Sequence, residues 1–86
     1  MEFPALIDGE DGAFGVVFPD IPGVAAMGNT VEEALRNAED ALKDYAIETE
    51  VDGEELACPS PMQSVEVPEG SRVVSVSLVL PEVKVS

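Results

Sequence analysis

Eighteen carboxylates, four cations and no histidine frame the chemistry open to this 86-residue chain. Asp8, Glu10 and Asp11, interleaved with Gly9 and Gly12, have the composition of a cation-binding loop. The run lacks the ligand spacing and the downstream glutamate of an EF-hand calcium loop. A turn between two strands accounts for it instead: glycine supplies positive φ, and aspartate bonds to neighbouring backbone. A second group is Glu32, Glu33, Glu39, Asp40 and Asp44. Paired carboxylates perform acid–base chemistry only where a pocket raises the pKa of one of them. These acids fall on an exposed helix face, so no catalytic, cofactor or metal residue is assigned and no enzyme is expected. Cys58 is the only cysteine, which excludes an intrachain disulfide and a CxxC site. It precedes Pro59 in a loop and reads as an incidental thiol.

The formal charge of −14 excludes nucleic acid as a direct ligand of this domain, because phosphate contacts need Lys and Arg. It equally disfavours anionic membranes. Two readings of the charge stay open: an acidic coat that keeps a small protein soluble, or a surface that steers a basic protein partner. The length fits one domain, burying roughly 60–65% of its unfolded surface. A hydrophobic fraction of 45% supports a folded core. No stretch approaches the ~20 apolar residues of a membrane span, and Met1-Glu2-Phe3-Pro4 does not resemble a signal peptide. The expected compartment is the cytoplasm.

The elements that must position these residues follow from periodicity. Phe3, Ala5 and Ile7 alternate with their neighbours and predict a strand over about residues 2–8. Phe14, Val16 and Phe18 predict a second strand, which makes the acidic Gly-rich run a hairpin turn. Pro19 and Pro22 cannot donate to a sheet, so the chain turns there, and Val24 to Met27 predicts a short third strand. Thr30-Val31-Glu32-Glu33 is a capping box. Thr30 accepts from the Glu33 N–H, and the Glu33 side chain returns to the Thr30 N–H. Val31, Ala34, Leu35, Ala38, Ala41, Leu42, Tyr45 and Ala46 form one apolar stripe, predicting a helix from Val31 to Thr49 with a stop at Asp52-Gly53. Residues 54–70, with Pro59, Pro61 and Pro68, read as loop with a short extended piece at Val65–Val67. Arg72 to Leu80 reads as the strongest strand, ended by Pro81, with 82–86 as a short tail.

The order β-β-β-α-β gives an α+β fold: a mostly antiparallel four-stranded sheet in the order 3-2-1-4, with one main helix on one face. A right-handed crossover through the helix would return the last strand parallel to the first. One helix covers one face only. The other face must be polar or covered by another chain, and the outer strands are unpaired edges, so self-association or partner binding is expected.

The chain resembles the HicB family, the antitoxin half of bacterial and archaeal HicA–HicB toxin–antitoxin pairs. The resemblance rests on Phe3-Pro4-Ala5-Leu6-Ile7, Phe14-Gly15-Val16-Val17-Phe18, Phe18-Pro19-Asp20-Ile21-Pro22-Gly23, and Gly28-Asn29-Thr30-Val31-Glu32-Glu33-Ala34 leading to Asn37-Ala38. It spans about residues 2–80. It implies a partial RNase H-like fold and a role: binding and neutralising a small basic RNA-cleaving toxin. It also implies dimers or tetramers, and often a C-terminal DNA-binding region, for which the 86 residues have no room. Val24 replaces a frequent cysteine, and Asn29 a commoner aspartate. The signature residues Phe18, Pro19, Asp20, Pro22, Gly23, Gly28 and Thr30 read mainly as structural. Asp20, Glu32, Glu33, Glu39 and Asp40 are the candidates for touching the partner. Nuclease chemistry does not carry over, because the inward strand positions are apolar, with no set of metal-binding carboxylates. Two other readings remain: an orphan self-associating domain, and a fragment of a transcriptional autorepressor without its DNA-binding region.

Overall fold

In the computed structural model, residues 2–78 are described. Their order is β1 (Glu2–Glu10), β2 (Ala13–Val17), β3 (Ala25–Gly28), α1 (Val31–Val51), a 3-10 turn at Met62–Ser64, and β4 (Arg72–Ser77). The sheet order is β3-β2-β1-β4, as the sequence predicts. β1 is longer than its apolar alternation, because backbone pairing continues to Glu10↔Ala13 around the Asp11-Gly12 turn. The hairpin tip is held down: the Gly12 N–H donates to the Asn29 carbonyl at 2.8 Å, tying it to the start of α1.

Period-two alternation sorts the strands into two faces. Phe3, Ala5, Ile7, Val16 and Val76 point to α1 and are buried with Ala34, Ala38, Leu42 and Ala46. The helix contributes mostly alanines to this seam, which lets its backbone lie close to the sheet. The approach is tightest at Gly28. A Cβ there would stand 2.8 Å from the Ala34 Cα, a distance that packed atoms do not reach.

Both helix ends are closed. Thr30 Oγ1 accepts from the Glu33 N–H at 3.0 Å. The return half of the capping box differs from the sequence reading: Glu33 Oε1 accepts from the Asn29 N–H at 3.0 Å, one residue earlier than expected. At the other end, the Gly53 N–H bonds to the Glu50 carbonyl and the Glu54 N–H to that of Thr49. Gly53 has φ of 74°, so the pair forms a Schellman stop. The helix therefore runs two residues past the predicted Thr49.

The direction of the last strand corrects the sequence reading. β4 is antiparallel to β1, with Arg72 opposite Ile7 and Ser77 opposite Glu2. The reason lies in the loop, not the helix. α1 carries the chain roughly 30 Å toward the end of the sheet where the Phe18–Gly23 turn lies. Ser60 is bonded to Asp20 in that turn, so residues 54–71 must return along the sheet before β4 begins. A crossover rule for parallel returns does not apply to a connection that goes out and comes back. At the extended piece expected over Val65–Val67 no strand forms, although Val65 itself is extended (φ −85°, ψ 127°) as it leaves the 3-10 turn. The expected continuation of the strand through Val79 and Leu80, and the 82–86 tail, lie outside the described residues.

The second face of the sheet is not polar throughout, and it is only partly covered: Pro4 on it is fully buried, while other positions stay open. One cross-strand row there is Ala25, Val17, Leu6 and Val73. Val17 is 49% exposed, and Met27 on the same face is 70% exposed. Asp8, Ser75 and Ser77 flank this apolar strip and are exposed.

Candidate partner-binding surface

The Phe18–Gly23 turn is built from within. Phe18 and Ile21 are buried at 2% and 4% exposure, anchoring the turn in the core as its sequence implies. The Ile21 N–H bonds to the Phe18 carbonyl, and the Val24 N–H to that of Ile21. Pro19, Pro22 and Gly23 are exposed on its outside. Asp20 is half-buried. Its Oδ2 accepts from the Ser60 N–H and its Oδ1 from the Ser60 hydroxyl, each at 2.7 Å. Both carboxylate oxygens are thus turned to the returning loop. A second tie holds the same loop, where the Ala57 N–H donates to the Tyr45 hydroxyl at 3.3 Å.

Glu32, Glu33, Glu39 and Asp40 are all exposed on α1. Glu32, Arg36, Glu39 and Lys43 recur at i, i+4, i+7 and i+11 and form one stripe, so two cations sit among these acids. Glu33 uses one oxygen in the Asn29 cap. The structure does not gather the five candidates into one patch: Asp20 lies at the far end of the sheet from Glu32 and Glu33.

It gathers a different set. On the flank of α1 that faces β3, Asn37, Ala41, Asp44 and Glu48 share a stripe. Asn37 Nδ2 donates to the Met27 carbonyl at 2.7 Å, closing one outward backbone group of this edge strand. Below that bond the surface opens into a depression lined by Gly23, Val24, Ala25, Ala41, Asp44, Tyr45 and Glu48. The sequence marked Asp44 only as one acid among many and passed over Glu48. Asn37 offered a signal of its own. It is a poor helix former in an Ala-rich helix interior, which asks for a side-chain role. Among the described residues no group of three or more His, Cys, Asp or Glu side chains could hold a metal ion. Nor is any helix there long and apolar enough to cross a membrane. What the surface offers a partner is charge and a backbone edge.

A family model for the HicB-like antitoxin of bacterial toxin–antitoxin systems matches residues 3–83, nearly the whole chain. The chain belongs to this family. Among solved structures, the Burkholderia pseudomallei antitoxin HicB is 30% identical, with a TM-score of 0.80, over 100% of this chain and 74% of that one. The N-terminal domain of that antitoxin is 28% identical, with a TM-score of 0.79, over 93% of this chain and 100% of that one. A chain of the HicA3 and HicB3 toxin–antitoxin complex is 28% identical, with a TM-score of 0.74, over 92% of this chain and 99% of that one. No curated protein matches. The HicB-like fold accounts for the sheet order and the single covering helix, and the antiparallel β4 belongs to it.

Proposed function

We propose that this HicB-like domain binds and neutralises a small basic RNA-cleaving toxin of the HicA type. The observation that carries the reading is the formal charge of −14, with seven of the eighteen carboxylates exposed along α1, in a fold shared with the antitoxin of a HicA–HicB complex. A toxin that grips RNA phosphates offers a cationic surface, and an acidic protein competes with RNA for it. Long-range attraction speeds encounter, and buried apolar contacts set the lifetime of the complex. Neutralisation is by occlusion. The domain has no catalytic part in it and makes no direct contact with nucleic acid. Asp20, Glu32, Glu33, Glu39 and Asp40 contribute to the attraction in this reading, and the site of action is the cytoplasm.

The test is copurification with the protein encoded immediately beside this gene, followed by calorimetry and stopped-flow binding. Stoichiometric binding that abolishes RNA cleavage is expected. The association rate should fall at least tenfold between about 0.01 M and 0.15 M salt, as the Debye length shrinks from about 30 to 8 Å. A salt-independent rate would remove the steering argument. The exposed Val17 and Met27 on the open sheet face favour a second reading alongside this one, self-association into a homo-oligomer. Light scattering over a concentration series distinguishes a monomer from a dimer or tetramer.

A further inference from the structure

We propose that the depression between β3 and α1 is the seat for a cationic side chain of the basic partner, an arginine above all. This deepens the antitoxin reading and rests on it for the identity of the partner. Ala41 contributes only a methyl group to the lining, so a longer side chain there would take up part of the space. Its walls combine what a long cationic side chain needs. Val24 supplies apolar surface for the aliphatic stem. Asp44 and Glu48 stand one helical turn apart at the rim, about 5–6 Å between Cβ atoms, the span over which a guanidinium fork can engage two carboxylates. Tyr45, an aromatic residue able to attract a cation, is also part of the lining.

The sheet edge supplies the remaining acceptor. β3 ends the sheet, and its Met27 carbonyl is turned outward to Asn37. Strand geometry repeats every two residues, so the backbone of Ala25 faces the same side, toward the depression it lines. The rest of the acidic surface is less suited. Glu32 and Glu39 share their stripe with Arg36 and Lys43, and fully solvated pairs contribute little. Asp44 and Glu48 line a recess whose lining includes no cation.

The test separates the recess from charge in general. A capped Gly-Arg-Gly peptide is titrated into the 15N-labelled protein, with Gly-Gln-Gly as the neutral control. Saturable amide shifts at Gly23, Val24, Ala25, Ala41, Asp44 and Glu48 are expected. Two variants should each weaken them about tenfold: Ala41→Leu, which fills the space and keeps every charge, and the double variant D44N/E48Q, which keeps the space. Leucine is a good helix former, so Ala41→Leu should retain the fold, and the double variant stands independently of it. Absence of shifts, shifts centred on Glu32 and Glu39, or shifts unchanged in both variants would overturn the proposal. With the protein encoded beside this gene as ligand, the same variants should bind about tenfold more weakly, and E66Q/E69Q, on the exposed loop before β4, no more than twofold. Equal binding by all variants would also overturn it. If the wild type does not bind that protein, the toxin assignment fails while the peptide titration still decides the recess.

Discussion

At the residue scale, the informative side chains are those that join segments distant in sequence. Asp20 and Ser60 are 40 residues apart and share two hydrogen bonds. Removing the carboxylate leaves the Ser60 N–H and hydroxyl without their partner. Asp20→Ala should therefore cost about 2–3 kcal/mol in urea unfolding. Ser60→Ala, which keeps the N–H bond, should cost about 1 kcal/mol. A double variant no worse than Asp20→Ala alone would show that the two side chains act as one tie. Gly28 makes the opposite kind of demand, for absence. Gly28→Ala should lower stability by roughly 1–3 kcal/mol, because the added methyl meets the Ala34 backbone and neither chain segment can yield easily. Sequence reading placed both Asp20 and Gly28 in the family signature as mainly structural residues, with Asp20 also a candidate for touching the partner. It could not say what they touch, because Ser60 and Ala34 carry no mark that points back to them.

At the scale of elements, α1 is the one most completely specified by local chemistry. Its cap, its stripe and its glycine stop are all written within a single 24-residue stretch. Thr30→Ala should destabilise the fold by about 1 kcal/mol through loss of the bond to the Glu33 N–H. Gly53→Ala should cost roughly 1–2 kcal/mol, because an L side chain is strained at φ of 74°. Thermal unfolding followed by circular dichroism reads both. A Gly53→Ala variant as stable as the wild type would mean that the stop is set by the following loop and not by the glycine. β4 illustrates the converse. Its alternation was plain, and Val76 and Leu78 do face the core. Its direction was not, because direction depends on how far the preceding loop travels, and proline-rich sequence does not encode distance.

At the scale of the whole molecule, charge has the widest reach. A formal charge of −14 on one small domain is self-repulsive, and compaction brings like charges together. Added salt screens that repulsion. The melting temperature should rise between about 0.01 M and 0.15 M sodium chloride and then level off, once the Debye length is below the spacing of most surface acids. A melting temperature that falls with salt over this range would show that attractive pairs outweigh the net repulsion. The same field is what a basic partner would meet first, so stability and association should respond to salt in opposite directions: the isolated domain gains and the complex loses.

Composition and short-range pattern were enough to specify strand order, the covering helix, its Thr30 cap and glycine stop, and the acidic character of the surface. These depend on alternation, helical spacing and formal charge, each of which is local or additive. Three features emerged only from packing: the antiparallel entry of β4, the Asp20–Ser60 tie, and the recess where Asp44 and Glu48 meet the start of β3. Each requires two segments to meet at a definite distance. That distance is set by how closely an alanine-faced helix settles on the sheet and by where a long loop is pinned, and neither quantity is a property of any one stretch of residues.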